Sequence, residues 1–313
     1  MKQKKAVIIF LVLSLLAPCG LITSVWAGEG SRGGTFLPLG WDAEGEGMAG
    51  AATLLIRNDA SSYWNPANLC FMTARRAMVN TTKPVPGMPA SYSTFSIGTS
   101  MLGSRIFRGD KTNISRAGAA LSVSHLDLDL AEGSAWNEST AGFSGAYSIN
   151  HYNSLGVTFR ILRGWNDLDN ADCSGMALNI GWTARLREKL WFGIVGRNIY
   201  SKISYPARSE NIGPSWNIAL SRNDIYGRVS AEFDLVLKEG EINRVLTGTR
   251  IILFKDLMSV LGGIDRRLAN GKRTIIHFGF LTHYKSADIS ISFKLDPEDA
   301  FDKQTYLSIG YTI

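Results

Sequence analysis

The sequence predicts an all-β protein, a closed antiparallel transmembrane β-barrel of about fourteen strands. Two observations carry this. From about Arg75 onward, segment after segment alternates apolar and polar residues with a period of two, the signature of strands with one oily and one polar face. The connections also sort by parity, long and polar after odd-numbered strands and mostly tight after even-numbered ones. Transmembrane barrels have this asymmetry between their two ends, whereas a β-sandwich has no reason to sort its loops.

The first residues read as an export signal over 1–27. Lys2, Lys4 and Lys5 precede an apolar run from Ala6 to Leu16, and Val25-Trp26-Ala27 is an acceptable cleavage site. An uncleaved anchor is interrupted by Pro18 and Gly20. A lipoprotein signal through Leu16-Ala17-Pro18-Cys19 fits poorly because of the proline. Removing residues 1–27 from the 313 leaves 286, a length that barrels reach as one domain. The net charge of +6 falls to +3 without the three signal lysines. No Lys/Arg cluster marks a nucleic-acid partner. A mean hydropathy of +0.01 also suits a barrel, because oily and polar residues alternate and cancel. No mature stretch is apolar for eighteen residues, as a membrane helix requires. After cleavage only Cys70 and Cys173 remain; they form either one disulfide or two buried thiols.

Residues 28–73 do not alternate, and 74–313 carry the strands. The expected strands are 74–81, 91–101, 114–126, 140–150, 153–163, 173–186, 189–200, 214–222, 225–237, 244–255, 257–267, 273–283, 286–295 and 304–313. In Ser154–Arg163, Leu155, Val157, Phe159 and Ile161 alternate with Ser154, Gly156, Thr158 and Arg160. Tyr226–Leu237 and Ser286–Leu295 repeat the pattern. The last segment, Gln304–Ile313, needs a neighbour to tie it down, and pairing with the first strand supplies one. Long connections are expected at Lys83–Ala90, Asp127–Ser139, Gly164–Asp172, Ser201–Gly213, Lys238–Asn243, Ala269–Lys272 and Asp296–Lys303. The second-to-third connection, Leu102–Asn113, is an exception to the parity. Aromatics near strand ends, among them Tyr152, Trp165, Trp191, Tyr200, Tyr205, Tyr226, Tyr284, Tyr306 and Tyr311, are candidates for interface girdles.

On the polar face fall Arg160, Arg228, Glu232, Asp234, Asp288 and Lys294. An Arg or Lys facing lipid at mid-bilayer costs about 2–4 kcal/mol, so these are expected to face the lumen. There they form either a polar path for a substrate's head group or inward salt bridges.

In the segment before the strands, Gly47-Met48-Ala49-Gly50-Ala51-Ala52-Thr53 is followed by Asp59-Ala60-Ser61-Ser62-Tyr63-Trp64-Asn65-Pro66-Ala67-Asn68-Leu69. This resembles the N-terminal region of FadL-like outer-membrane proteins, in particular the PorV/PorQ branch. The Asn-Pro-Ala core, the aromatic pair and the upstream Asp-Ala-Ser stand in register. Ala49 and Asn68 stand where that family usually has glycine, and Ile313 where phenylalanine is common. The resemblance implies a fourteen-stranded barrel whose N-terminal segment folds into the lumen as a hatch. It makes Gly47, Met48, Gly50, Tyr63, Trp64, Asn65, Pro66 and Ala67 the hatch or gate residues. It further implies passive transport of hydrophobic or amphipathic small molecules, long-chain fatty acids among them. The alternative is a partner barrel of PorV type, working with secreted or surface proteins.

Other chemistry is weakly supported. Gly45–Gly50 spells G-x-G-x-x-G but lacks the strand and helix of a dinucleotide site. The four histidines are dispersed, and no G-x-S-x-G occurs. Asp127 with Asp129, and Asp167, Asp169 and Asp172, are read as solvated loop acids. The expectation is a non-enzyme without cofactor or metal, in the bacterial outer membrane, whose partners are membrane lipid and a hydrophobic ligand.

Overall fold

The computed structural model describes residues 39–84, 89–101, 115–129, 135–166, 172–206, 209–254, 257–269, 272–297 and 303–313. The expected signal and the 102–113 connection lie outside them. In chain order the barrel strands are β1 (Arg76–Thr82), β2 (Ala90–Met101), β3 (Ala117–Asp129), β4 (Ala135–Asn150), β5 (Asn153–Asn166), β6 (Cys173–Arg187) and β7 (Leu190–Ser204). They continue as β8 (Ser215–Ile225), β9 (Val229–Lys238), β10 (Glu241–Leu253), β11 (Met258–Arg267), β12 (Arg273–Tyr284), β13 (Ala287–Leu295) and β14 (Lys303–Thr312). A two-residue bridge, Ser209–Glu210, pairs with the end of β7.

Each strand pairs antiparallel with the next, and β1 pairs with β14 from Arg76↔Thr312 to Thr82↔Tyr306. The sheet is thus a closed fourteen-stranded barrel with no free edge. All fourteen expected strands are present, the weakly patterned first one included.

The alternation decides which face goes where. Phe95, Leu121, Phe143, Phe159, Phe233, Ile276 and Ile309 point outward, with exposures from 40% for Phe159 to 54% for Phe143. In water each such half-exposed side chain would forgo roughly 1 kcal/mol of burial; in hydrocarbon it forgoes none. The inner face is small and polar: Ser122, Ser124, Thr158, Thr183 and Ser292 are buried. No helix among the described residues is long and apolar enough to cross a membrane. The barrel strands are the only candidates to do so there.

Several expectations need correction. Arg228 does not face the lumen; it is exposed in the Tyr226–Arg228 turn between β8 and β9. Asp224, Tyr226 and Gly227 all take left-handed backbone there, with φ of 56, 53 and 77°, so the alternation does not carry through. Asp127 and Asp129 lie on β3 rather than in a loop, and β4 starts at Ala135. Trp191, Tyr205 and Tyr306 pack inside the barrel rather than in a girdle, whereas Tyr152, Trp165, Tyr200, Tyr226, Tyr284 and Tyr311 are exposed. Cys70 and Cys173 are both buried free thiols in separate apolar clusters.

Candidate functional site

The lumen is filled by residues 39–72, which form two short helices, α1 (Ala43–Gly47) and α2 (Ser61–Trp64), and a 3-10 turn at Pro66–Phe71. Pro66 disfavours helical geometry at the residue before it, and Asn65 is extended, with φ −160°. This ends α2 and frees the Asn65 side chain to cap the next turn: its Oδ1 accepts from Ala67 N at 3.1 Å. Asn65 Nδ2 donates to Thr53 O at 3.1 Å and to the wall hydroxyl of Thr183 at 2.9 Å. Asn68 Nδ2 donates to Thr53 O and Ile56 O, both at 2.9 Å, and its Oδ1 accepts from Thr183 Oγ1 at 2.8 Å. Asn68 thus pins the segment together with Asn65.

The wall makes room where this backbone passes. A Cβ on Gly156 would lie 2.3 Å from Ala67 N and Pro66 C, and one on Gly263 would lie 2.4 Å from Met48 C. Met48 is wholly buried. Gly47 packs against Leu261, whose Cδ1 would be 2.9 Å from a Cβ there. Gly50 has φ 75°, and Ala49 has φ 59°, a left-handed conformation that costs a non-glycine residue about 1–2 kcal/mol.

Charged wall residues grip the same segment. Glu232 accepts from Leu54 N and Leu55 N, each at 2.8 Å, and Asp234 accepts from Thr53 Oγ1 at 2.6 Å. Arg250 pairs with Glu44 at 2.5 Å. Arg76 on β1 pairs with Asp59 at 2.6 Å and with Asp288 at 2.9 Å. Asp288 also meets His283 at 2.5 Å, and Ser96 donates to the second oxygen of Asp59. Lys294 Nζ donates to Gln304 Oε1 at 3.3 Å. Glu232, Asp234 and Asp288 therefore brace the structure instead of lining an open polar path. Within the filling segment, burial and then the charge of Glu44 push the Asp42 carboxyl up to about 7. Burial does the same to Glu46, against the pull of Lys294. Asp42 accepts from Trp64 Nε1 at 2.6 Å.

Arg160 differs from these braces. It is 4% exposed, its guanidinium lies 5.0 Å from the Tyr63 ring centre and 5.8 Å from that of Trp41, and its Nε has no hydrogen-bond partner. It forms no ion pair among the described residues. Trp41 and Tyr63 stack at 5.4 Å beneath it, and Arg197 holds the Tyr63 and Trp64 carbonyls at 2.9 and 3.2 Å. Next to Arg160, at the end of the barrel that bears the long connections, an apolar cluster gathers Tyr92, Leu126, Leu162, Cys173, Ala177 and Ile203. Arg160 is the register partner of Ala177. The site is a buried apolar cluster at that end of the barrel, with the Arg160 cation on its inner side.

Of the sequence-derived candidates, the structure brings Tyr63, Trp64 and Arg160 together. Asn65, Pro66 and Ala67 sit deeper, against β5 and β6, and Gly47, Met48 and Gly50 against β10 and β11. Sequence reasoning missed Arg197, Thr183 and the apolar cluster. The cluster had a signal: Leu126-Asp127-Leu128-Asp129 alternates with its apolar residues pointing inward.

The class this geometry defines is a closed transmembrane β-barrel with a filled lumen. No family model and no curated protein matches the sequence. Solved structures share the fold. The CymD monoaromatic hydrocarbon channel matches with a TM-score of 0.63 at 14% identity, over 87% of this chain and 97% of that one. The P. putida toluene transporter TodX gives 0.61 at 11%, over 88% and 99%. A FadL homologue of Pseudomonas aeruginosa gives 0.59 at 10%, over 87% and 98%. The fold of this chain is FadL-like.

Proposed function

We propose that this protein is an outer-membrane barrel for passive transport of hydrophobic or amphipathic small molecules, of the long-chain fatty-acid kind. The observation that carries the reading is the juxtaposition of the apolar cluster with the buried Arg160 guanidinium, whose Nε has no hydrogen-bond partner. A chain enters among Tyr92, Leu126, Leu162 and Ile203, and its acidic head meets Arg160. The fold shared with channels for toluene and monoaromatic hydrocarbons supports a hydrophobic cargo. Movement of the hatch around Tyr63–Ala67 then releases the ligand inward or sideways.

The test is binding of oleate and of oleyl alcohol to the purified barrel. A hydrogen bond to a charged group is worth about 1.5–3 kcal/mol, so Arg160→Gln weakens oleate about 10- to 150-fold and leaves the alcohol nearly unchanged. Equal effects on both ligands refute the role of Arg160. If Asn65→Ala and Pro66→Gly leave uptake of every tested hydrophobic substrate unchanged, the gate assignment is wrong.

One observation favours a second reading. The filling segment is buried at nearly every residue and bonded to many strands, which suits a closed barrel of the PorV/PorQ kind acting with secreted or surface proteins. The resemblance at Asp59–Leu69 supports that branch. Binding of neither ligand, with co-purification of one defined protein partner, selects this reading over transport.

A further inference from the structure

At the end of the barrel formed by the tight turns, the outer rim carries cations set among aromatic rings. Arg116 turns its guanidinium onto the lipid-facing ring of Tyr147, 5.7 Å from its centre, and donates from Nε to the Tyr147 hydroxyl at 3.1 Å. On the far side of the β1–β14 seam, Lys285 Nζ lies 5.3 Å from the ring centre of Tyr284, itself 65% exposed. Arg222 is exposed on β8, two residues beyond outward-facing Leu220. Arg75 precedes the inward-pointing Arg76 and is exposed. None of these four forms an ion pair among the described residues.

The acids of this rim do not offset them. Among the described turn residues they are Glu188 and Asp224, and Asp224 is already paired with Lys189 at 2.6 Å. Arg187 and Arg228 add two further exposed cations at the turns. The opposite rim is mixed in sign, with Asp127, Asp129 and Glu210 beside Arg163 and Lys202. The four cations lie at or within three residues of the strand ends, where the apolar outer band gives way to the turns. At Arg116 and Lys285 a tyrosine ring lies beside the charged end, and long basic side chains at this position extend toward the head-group layer.

We propose that the turn-end rim, through Arg75, Arg116, Arg222 and Lys285, is a binding surface for anionic phospholipid head groups of the leaflet it faces. The occupant is a phosphate diester carrying net negative charge. A zwitterionic lipid has the same phosphate, but its own ammonium group competes with the protein's cations. Each basic residue near an anionic surface favours contact about fivefold.

The experiment reconstitutes the full chain in vesicles of equal parts phosphatidylglycerol and phosphatidylcholine. The barrel is then excised with a styrene–maleic acid polymer, and the retained lipids are counted. The wild-type annulus is expected to be enriched in phosphatidylglycerol about twofold or more. R75Q/R116Q/R222Q/K285Q loses the enrichment, and R163Q/K202Q, which removes cations from the opposite rim, keeps it. Heat-modifiable gel mobility verifies that each variant is a folded barrel; if the quadruple variant fails this, R116Q/K285Q replaces it and loses about half the enrichment. Absence of enrichment in the wild type, its persistence in the rim variant, or an equal loss in R163Q/K202Q overturns the proposal. No transported substrate enters the measurement, so its failure leaves the transport reading untouched.

Discussion

Asn65→Ala is the sharpest probe of how the lumen is held shut. The side chain makes three hydrogen bonds, with Thr53 O, Thr183 Oγ1 and Ala67 N. Two of those partners keep another bond, because Asn68 also serves Thr53 O and Thr183 Oγ1. Only the buried Ala67 N–H is left without its acceptor. Orphaning one such group costs about 1–3 kcal/mol, and losing the two shared bonds adds about 1 kcal/mol. A local loss of about 2–4 kcal/mol raises amide hydrogen exchange across Tyr63–Phe71 about 30- to 1000-fold. Hydrogen exchange by mass spectrometry on the barrel in detergent measures this, with the β-strand amides as internal standard. Exchange within threefold of wild type refutes the reasoning, since the geometry would then be held without Asn65. Equal acceleration in the strands also refutes it, since the effect would be global.

Other outcomes follow from the same contacts. Gly156→Ala forces a Cβ to 2.3 Å from hatch backbone and exposes residues 61–71 to protease, whereas Gly145→Ala, whose Cβ meets nothing within 4 Å, is silent in the same digest. Ala49→Gly relieves a left-handed φ of 59° and slows exchange around Met48 by the equivalent of about 0.5–1 kcal/mol net of glycine's extra unfolded-state entropy; faster exchange there contradicts this. The Asp42 and Glu46 carboxyls, ordinarily near 4, sit near 7 in the folded hatch. The hatch is therefore most secure below about pH 4 and loses that stability as pH rises through 7; Asp42→Asn with Glu46→Gln flattens the profile when exchange is corrected for its intrinsic pH dependence. Cys70, whose burial raises its thiol to about 11, stays unlabelled by a thiol reagent at pH 8 until Gly156→Ala disturbs the hatch.

The barrel was legible because each strand reports its two faces locally. A residue such as Phe159 between Thr158 and Arg160 announces its own orientation, and loop parity orders the strands. The limits of legibility are equally local in cause. Alternation extended across Tyr226-Gly227-Arg228 misplaced Arg228, because left-handed turn residues reset the phase. At the long-connection end the polarity inverts. Leu126 and Leu162 point inward while Asp127 and Arg163 point away, so a rule tuned to the membrane interior ended β3 at Leu126 and read Asp127 to Asp129 as loop. The contacts of the hatch were not readable, because they join residues far apart in sequence. Ala43 N donates to Ser308 Oγ at 2.8 Å across 265 positions, and nothing in the neighbourhood of either residue points to the other. The motif at Asp59–Leu69 suggested that the segment matters, whereas its partners came from the wall.

The Arg76 clasp joins the seam of the barrel to its contents. One guanidinium on the first strand holds Asp59 of the filling segment and Asp288 of β13, which lies across the closing strand β14. Sealing the cylinder and seating its contents thus draw on the same side chain. The wall's glycines at 156 and 263 leave room for the Pro66–Ala67 and Met48 backbone, so the same barrel without its N-terminal segment would carry gaps in its lining. It would also leave the seam's guanidinium with one carboxylate in place of two.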